Sequence, residues 1–222
     1  MNILLDLDGT ILDFHKGEAN SLVMVLKEFL NYDAKVEDIL YFKKINEELF
    51  NLFQAGKMKR IEFQNKRFEL MFKYLNKDAD YEKANLFYID KLQYQAILYS
   101  DSINSLKYLY KNHDIFIATN GQAFVQKGRI KEAKIDKYIK KIYISEQIGY
   151  NKPDLEFFNY IFLDLNDYDL NNYIMIGDKL DSDILGAKNA KIKSIYLNRK
   201  GDFSNSFADY NIESLNELEK IL

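Results

Sequence analysis

Residues 1–14 read MNILLDLDGTILDF. An apolar run, Ile3-Leu4-Leu5, ends on Asp6, and Asp8 follows two residues later, just ahead of a Gly9-Thr10 turn. A buried carboxylate is costly unless something compensates it. Residues two apart on extended chain project to the same side, so Asp6 and Asp8 are expected to face one point. What meets them there decides both the fold and the chemistry.

Other short apolar runs resemble the first. They are Ile115-Phe116-Ile117-Ala118, Ile142-Tyr143-Ile144, Tyr173-Ile174-Met175-Ile176 and Ser194-Ile195-Tyr196-Leu197. Each is rich in β-branched or aromatic residues, continuous rather than alternating, and bounded by polar residues. That is the pattern of a strand buried on both faces. Between them lie 102–112, 124–134, 154–163 and 182–190, each long enough for a helix. Strand and helix in alternation predict an α/β fold: a Rossmann-like parallel sheet with helices on both faces. Pro153, the only proline, precedes a helical segment, where its missing N–H costs nothing.

Residues 14–96 break the alternation. Leu22, Val25, Leu26, Phe29 and Leu30, then Phe42, Ile45, Leu49 and Phe53, recur at three- and four-residue steps with Lys and Glu between. Gly56, in QAGKMKR, separates two helices. The expectation is an all-helical cap over 14–96 inserted into a core formed by 1–13 and 97–222. The tail IESLNELEKIL is expected to close the chain as an amphipathic helix.

Of 222 residues, 47% are hydrophobic and 29% charged, ample for one core with an inserted subdomain. A net charge of −3 without a basic block argues against nucleic acid or an anionic membrane as partner. Cysteine is absent, which excludes disulfides and thiolate metal sites. No basic segment leads into a long apolar stretch at the N-terminus, so a signal peptide or membrane span does not fit, and a soluble cytoplasmic protein is expected. The sequence assigns no oligomeric state.

Four polar clusters stand after predicted strands: Asp6-Leu-Asp8-Gly-Thr10; Thr119-Asn120-Gly121; Lys152 in Asn-Lys-Pro; and Gly177-Asp178 with Asp181 and Asp183. In an open parallel sheet, ligands bind beyond the carboxyl ends of the strands, so these four converge on one edge. Asp6, Asp8 and Asp178 around one pocket repel each other, and a hard divalent cation such as Mg²⁺, with oxygen ligands, resolves the conflict. Lys152, the Thr119 hydroxyl and the amides of Asn120 and Gly121 at a helix start supply the opposite polarity. Carboxylates and Mg²⁺ on one side with cationic and N–H donors on the other describe a site for a small-molecule phosphate ester.

The motifs DLDGT, the Thr of ATNG, the Lys of NKPD, and GDKLDSD resemble, in this order, the four motifs of the haloacid dehalogenase superfamily of phosphohydrolases. The stretches TNGQAFVQKGRI, YISEQIGYNKPDLEFF and INEELFNLFQAGKMKRIEFQNKRFE are similar to its bacterial pyrimidine 5′-nucleotidase branch, whose helical cap follows the first motif. The resemblance implies Asp6 as nucleophile and Asp8 as general acid and base. It implies Mg²⁺ held by Asp6, the Asp8 backbone carbonyl and Asp178, with Asp183 in the outer shell. Thr119, Asn120 and Lys152 would bind the phosphoryl group, and Thr10 would steady Asp8. The cap would close over the pocket. Three positions depart from the pattern: Lys179 beside Asp178, Tyr99-Ser100-Asp101-Ser102 in place of a Pro-Gly turn, and Lys191 in place of a glycine.

The expected activity is hydrolysis of pyrimidine nucleoside 5′-monophosphates such as UMP, dUMP or dTMP. A sugar-phosphate phosphatase or phosphomutase is the alternative. A dehalogenase needs no acid where Asp8 stands, and a phosphonate-cleaving enzyme needs a Schiff-base lysine for which Lys57 and Lys59 have no special context. Non-catalytic proteins on this fold usually lose a motif residue, and here all are present. No P-loop sequence occurs, which excludes that class of kinase.

Overall fold

The computed structural model describes residues 1–222. The chain divides into two compact units, one of 1–13 with 96–222 and one of 14–95.

The first unit is built on a six-stranded sheet in the order β3-β2-β1-β4-β5-β6. The strands are β1 (Asn2–Leu5), β2 (Asp114–Thr119), β3 (Lys141–Ile144), β4 (Tyr173–Gly177), β5 (Lys193–Leu197) and β6 (Tyr210–Ile212). Every neighbouring pair is parallel. Alternation along the strands feeds two apolar layers. Ile3, Leu5, Ile115, Ile117, Ile174 and Ile176 pack on one face with Leu106 and Leu109 of helix α5 (Ser102–Asn112). Leu4, Phe116, Ala118 and Met175 pack on the other with Phe157, Phe158 and Ile161 of helix α8 (Leu155–Leu165). Burial on both faces is why these strands read as unbroken apolar runs. Strand order reverses at β1, with β2 and β3 on one side and β4 to β6 on the other, and a crevice opens at such a reversal.

The tail differs from its expectation. Its first residue, Ile212, ends the sixth strand beside β5, and within it only Leu215–Lys220 turn helically, as a 3₁₀ stretch. Asp101 accounts for this start. Its Oδ2 accepts hydrogen bonds from Leu215 N at 2.9 Å, Ser214 Oγ at 2.8 Å and Arg199 Nη1 at 2.8 Å. Burial raises the Asp101 carboxyl, yet the bonds from Arg199, Ser214 and Leu215 hold it below its ordinary range. Arg199 Nη2 also donates to the Thr10 carbonyl at 2.9 Å. Asp101, in the stretch that stands in place of the family's Pro-Gly turn, thus braces the tail, and its partner Arg199 braces the turn behind Asp8. Similarly, 182–190 is not one α-helix. A π-type turn at Leu180–Ile184 precedes the short helix α9 (Leu185–Ala190).

The second unit holds four helices: α1 (Phe14–Leu30), α2 (Val36–Gln54), α3 (Arg60–Tyr74) and α4 (Tyr81–Leu92). Gly56, at φ +69°, ends the turn after α2 in a conformation that disfavours a side chain. The periodic apolar residues meet inside, where Phe42, Phe68 and Tyr88 pack with ring centroids 5.2 to 5.7 Å apart. A buried polar chain runs beside them. Asn46 Nδ2 donates to Glu18 Oε1 at 2.6 Å, and Arg67 donates to Asn46 Oδ1 at 3.1 Å and to Asn85 Oδ1 at 2.7 Å. Arg67 also lies over the Tyr88 ring, 4.3 Å from its centroid. Burial pushes the Glu18 carboxyl up and the Arg67 guanidinium down. Removing one member of such a network strands the others. Arg67→Met is expected to lower stability by about 3 kcal/mol, seen as a lower urea midpoint. Arg67→Lys recovers only part, because an ammonium lacks the fork that reaches both asparagines.

Candidate active site

The site is assembled from strand ends. Asp6 follows β1 directly, and its backbone N–H donates to the Ile176 carbonyl of β4 at 2.9 Å, which fixes the turn from strand to loop. Gly9, at φ +87°, passes so close to Asp178 that a β-carbon there would collide with its carboxylate. The glycine of DLDGT is therefore a condition for the acidic residues to gather.

Carboxylate oxygens of Asp6, Asp178 and Asp183 all lie within 4.8 Å of one another. One ammonium stands against them. Lys152, fully buried, donates to Asp6 Oδ1 and Asp183 Oδ1, each at 2.7 Å, and to the Ala118 carbonyl. Thr10 Oγ1 points to Asp178 Oδ1 at 3.2 Å and Asp6 Oδ2 at 3.5 Å, not to Asp8. Asp183 also accepts from the backbone N–H of Lys179, the residue just before the π-type turn, at 3.0 Å. Lys179 is exposed, and its charge pulls the Asp178 carboxyl down against the burial and the acidic neighbours that push it up.

The charges do not balance. Burial pushes the Asp6 carboxyl up to about 7 against the pull of Lys152, and Asp183 and Asp8 push in the same direction. Burial, with Asp6 and Asp183, holds Asp178 well above its ordinary range. Burial opposes the Lys152 charge, but Asp183 and Asp6 outweigh it and keep that lysine protonated beyond its usual range. With all three carboxylates ionised, the one buried ammonium leaves a surplus of two negative charges, and the upward shifts of Asp6 and Asp178 are the protein's response to it. With oxygen donors only, this set fits a hard divalent cation.

The phosphate-side residues come together as well. Thr119, the last residue of β2, turns its hydroxyl to accept from Gly121 N at 3.1 Å. The Asn120 side chain is fully engaged with the Lys152 backbone, donating to its carbonyl and accepting from its N–H, both at 2.8 Å. The Asn120 side chain thus locks the loop that carries Lys152.

The Asp8 carboxylate lies outside the acidic cluster. Arg129, a wholly buried residue of helix α6 (Ala123–Glu132), forms a tight ion pair with Asp8 Oδ1. Gln126 Nε2 of the same helix donates to Asp8 Oδ2 at 2.7 Å. The sequence reading missed both residues. Their signal was positional: Gln126 and Arg129 fall beside Val125 and Ile130, on the side of α6 that is buried.

The model of the family described as haloacid dehalogenase-like hydrolase matches residues 3–197. YfnB of Bacillus subtilis is 31% identical over 99% of this chain and 94% of its own. The crystal structure of YfnB bound to magnesium covers 100% of this chain and 97% of that one with a TM-score of 0.92. The chain belongs to the haloacid dehalogenase-like hydrolases. Within this family, the pyrimidine 5′-nucleotidase PynA of Streptococcus pneumoniae is 30% identical over 88% of this chain and 83% of its own. The pyrimidine 5′-nucleotidase YjjG of Escherichia coli is 27% identical over 99% and 96%. This haloacid dehalogenase-like hydrolase carries the residue set of a phosphoric monoester hydrolase, with all four polar clusters on one sheet edge. None of its helices is long and apolar enough to cross a membrane.

Proposed function

We propose that this hydrolase is a Mg²⁺-dependent phosphatase acting on pyrimidine nucleoside 5′-monophosphates through an aspartyl-phosphate. The observation that carries the reading is the Asp6 carboxylate at the end of β1, touching Lys152 and crowded by Asp178 and Asp183. Two relatives of similar length named as pyrimidine 5′-nucleotidases support the substrate class.

In this mechanism an Asp6 oxygen attacks phosphorus and the ester P–O bond breaks. Asp8 gives its proton to the departing oxygen, then takes one from the water that cleaves the acyl phosphate, releasing inorganic phosphate and restoring Asp6. Lys152, the Thr119 hydroxyl and the Asn120 amide draw charge from the phosphoryl oxygens. Asp6, the Asp8 carbonyl and Asp178 would hold Mg²⁺, with Asp183 fixing Lys152. When bound, the cation offsets the repulsion between carboxylate and phosphate.

The test is phosphate release from UMP, dUMP, dTMP and a hexose phosphate, with Mg²⁺ or with chelator. Activity on the nucleotides that vanishes with chelator is expected. Burial and the neighbouring carboxylates push the Asp6 carboxyl up to about 7, so Mg²⁺ binding competes with a proton there. Thermal stabilisation by Mg²⁺ is therefore expected to grow from pH 6 to pH 8. Turnover of hexose phosphates alone would overturn the substrate class, and chelator-resistant activity the metal.

A further inference from the structure

Gln126 and Arg129 stand one turn apart on α6, on the same buried side as Val125 and Ile130. Gln126 is 1% exposed and Arg129 is 0% exposed. A guanidinium in such a place costs several kcal/mol unless a carboxylate meets it, and the carboxylate that meets it is Asp8.

Each oxygen of the Asp8 carboxylate has a partner on this helix. Arg129 Nη1 binds Oδ1, and Gln126 Nε2 binds Oδ2 at 2.7 Å. The same Gln126 amide donates to Thr119 Oγ1 at 2.8 Å, and its Oε1 accepts from Arg129 Nη1 at 3.3 Å. Gly121 makes room for this arrangement, since a β-carbon there would run into the Gln126 amide. One helix face thus ties Asp8 to the phosphate-side threonine and holds it apart from the Asp6, Asp178 and Asp183 cluster.

We infer that Gln126 and Arg129 are positioning residues that set where the Asp8 carboxyl stands relative to the departing ester oxygen. The inference rests on the proposed role of Asp8 as acid and base. Its signature is a dependence on the leaving group. A nucleoside alkoxide needs a proton delivered as the P–O bond breaks, whereas p-nitrophenolate leaves without one. Displacing Asp8 should therefore harm the first reaction far more than the second, while general loss of structure would harm both alike.

The experiment compares kcat/KM for dUMP and p-nitrophenyl phosphate in wild type, Arg129→Met, Gln126→Met and Asp8→Asn. Arg129→Met is expected to lower kcat/KM on dUMP by about 100-fold and on p-nitrophenyl phosphate by less than about 10-fold, with the loss mainly in kcat. Gln126→Met should show the same skew at about one tenth of the size, and it carries the test should Arg129→Met fail to fold. Asp8→Asn calibrates the skew. Equal losses on both esters, or undiminished activity on dUMP, would overturn the inference. An inactive wild type would instead count against the phosphatase reading itself, so the two failures are distinguishable.

Discussion

Asp6→Asn should abolish turnover and leave a protein more stable than the wild type at pH 8 in the absence of metal. The loss of activity follows from chemistry: an amide oxygen is a poor nucleophile and forms no aspartyl-phosphate. Removing the nucleophile of a covalent mechanism costs about 10⁶-fold in kcat. The gain in stability follows from crowding. Asp6 ordinarily titrates near 3.8 and is pushed up to about 7 here, by burial first and then by neighbouring carboxylates. A raised carboxyl favours the protonated fold. Its contribution is present below about pH 4 and is lost as pH rises through about 7. Asparagine removes that loss and relieves Asp178, which Asp6 also pushes up. The melting temperatures of variant and wild type should therefore diverge from pH 5 to pH 8, and Mg²⁺ should narrow the gap by stabilising the wild type. An active variant, or one less stable at pH 8, would contradict the nucleophile assignment or the charge surplus behind it.

The opening fourteen residues carried much of this because strand burial and loop chemistry are local. Ile3 to Leu5 lie between two strands and two helix layers, so no polar residue is tolerated until the chain leaves the sheet at Asp6. The same logic located Thr119 and Asp178. Lys152 was legible only through its spacing, since nothing local indicates that its backbone is clasped by Asn120, 32 positions away. Less accessible still were features defined by contact across the fold. Asp101 bonds to Ser214 and Leu215 at the far end of the chain, where the expected closing helix is only a 3₁₀ stretch. Gln126 and Arg129 read as polar positions on a short helix. Only the fold puts a wholly buried guanidinium against Asp8. Periodicity identifies which face of a helix is buried, but not that a charged residue on that face has its partner 121 positions away.

Lys152→Met is expected to lower kcat by about 10³-fold and to destabilise the fold by about 3–5 kcal/mol at pH 8, far less at pH 5. The activity loss reflects the missing cation beside the phosphoryl group. The stability loss reflects what remains. Lys152 directs its donors to Asp6, Asp183 and the Ala118 carbonyl, and its side chain is 1% exposed. Methionine fills similar volume yet leaves three carboxylates without a compensating charge. Below about pH 5 protons take over that role, because Asp6 and Asp178 already hold theirs more tightly than ordinary aspartates do. The wild-type charge surplus of two becomes three in the variant, so Mg²⁺ should stabilise Lys152→Met more than it stabilises the wild type. Lys152→Arg should not restore activity: a planar guanidinium cannot converge on three acceptors from the point an ammonium occupies. Denaturant midpoints at pH 5 and pH 8, with and without Mg²⁺, check each step. A loss of stability equal at both pH values would mean that Lys152 contributes packing rather than charge, and the electrostatic account of the site would have to be abandoned.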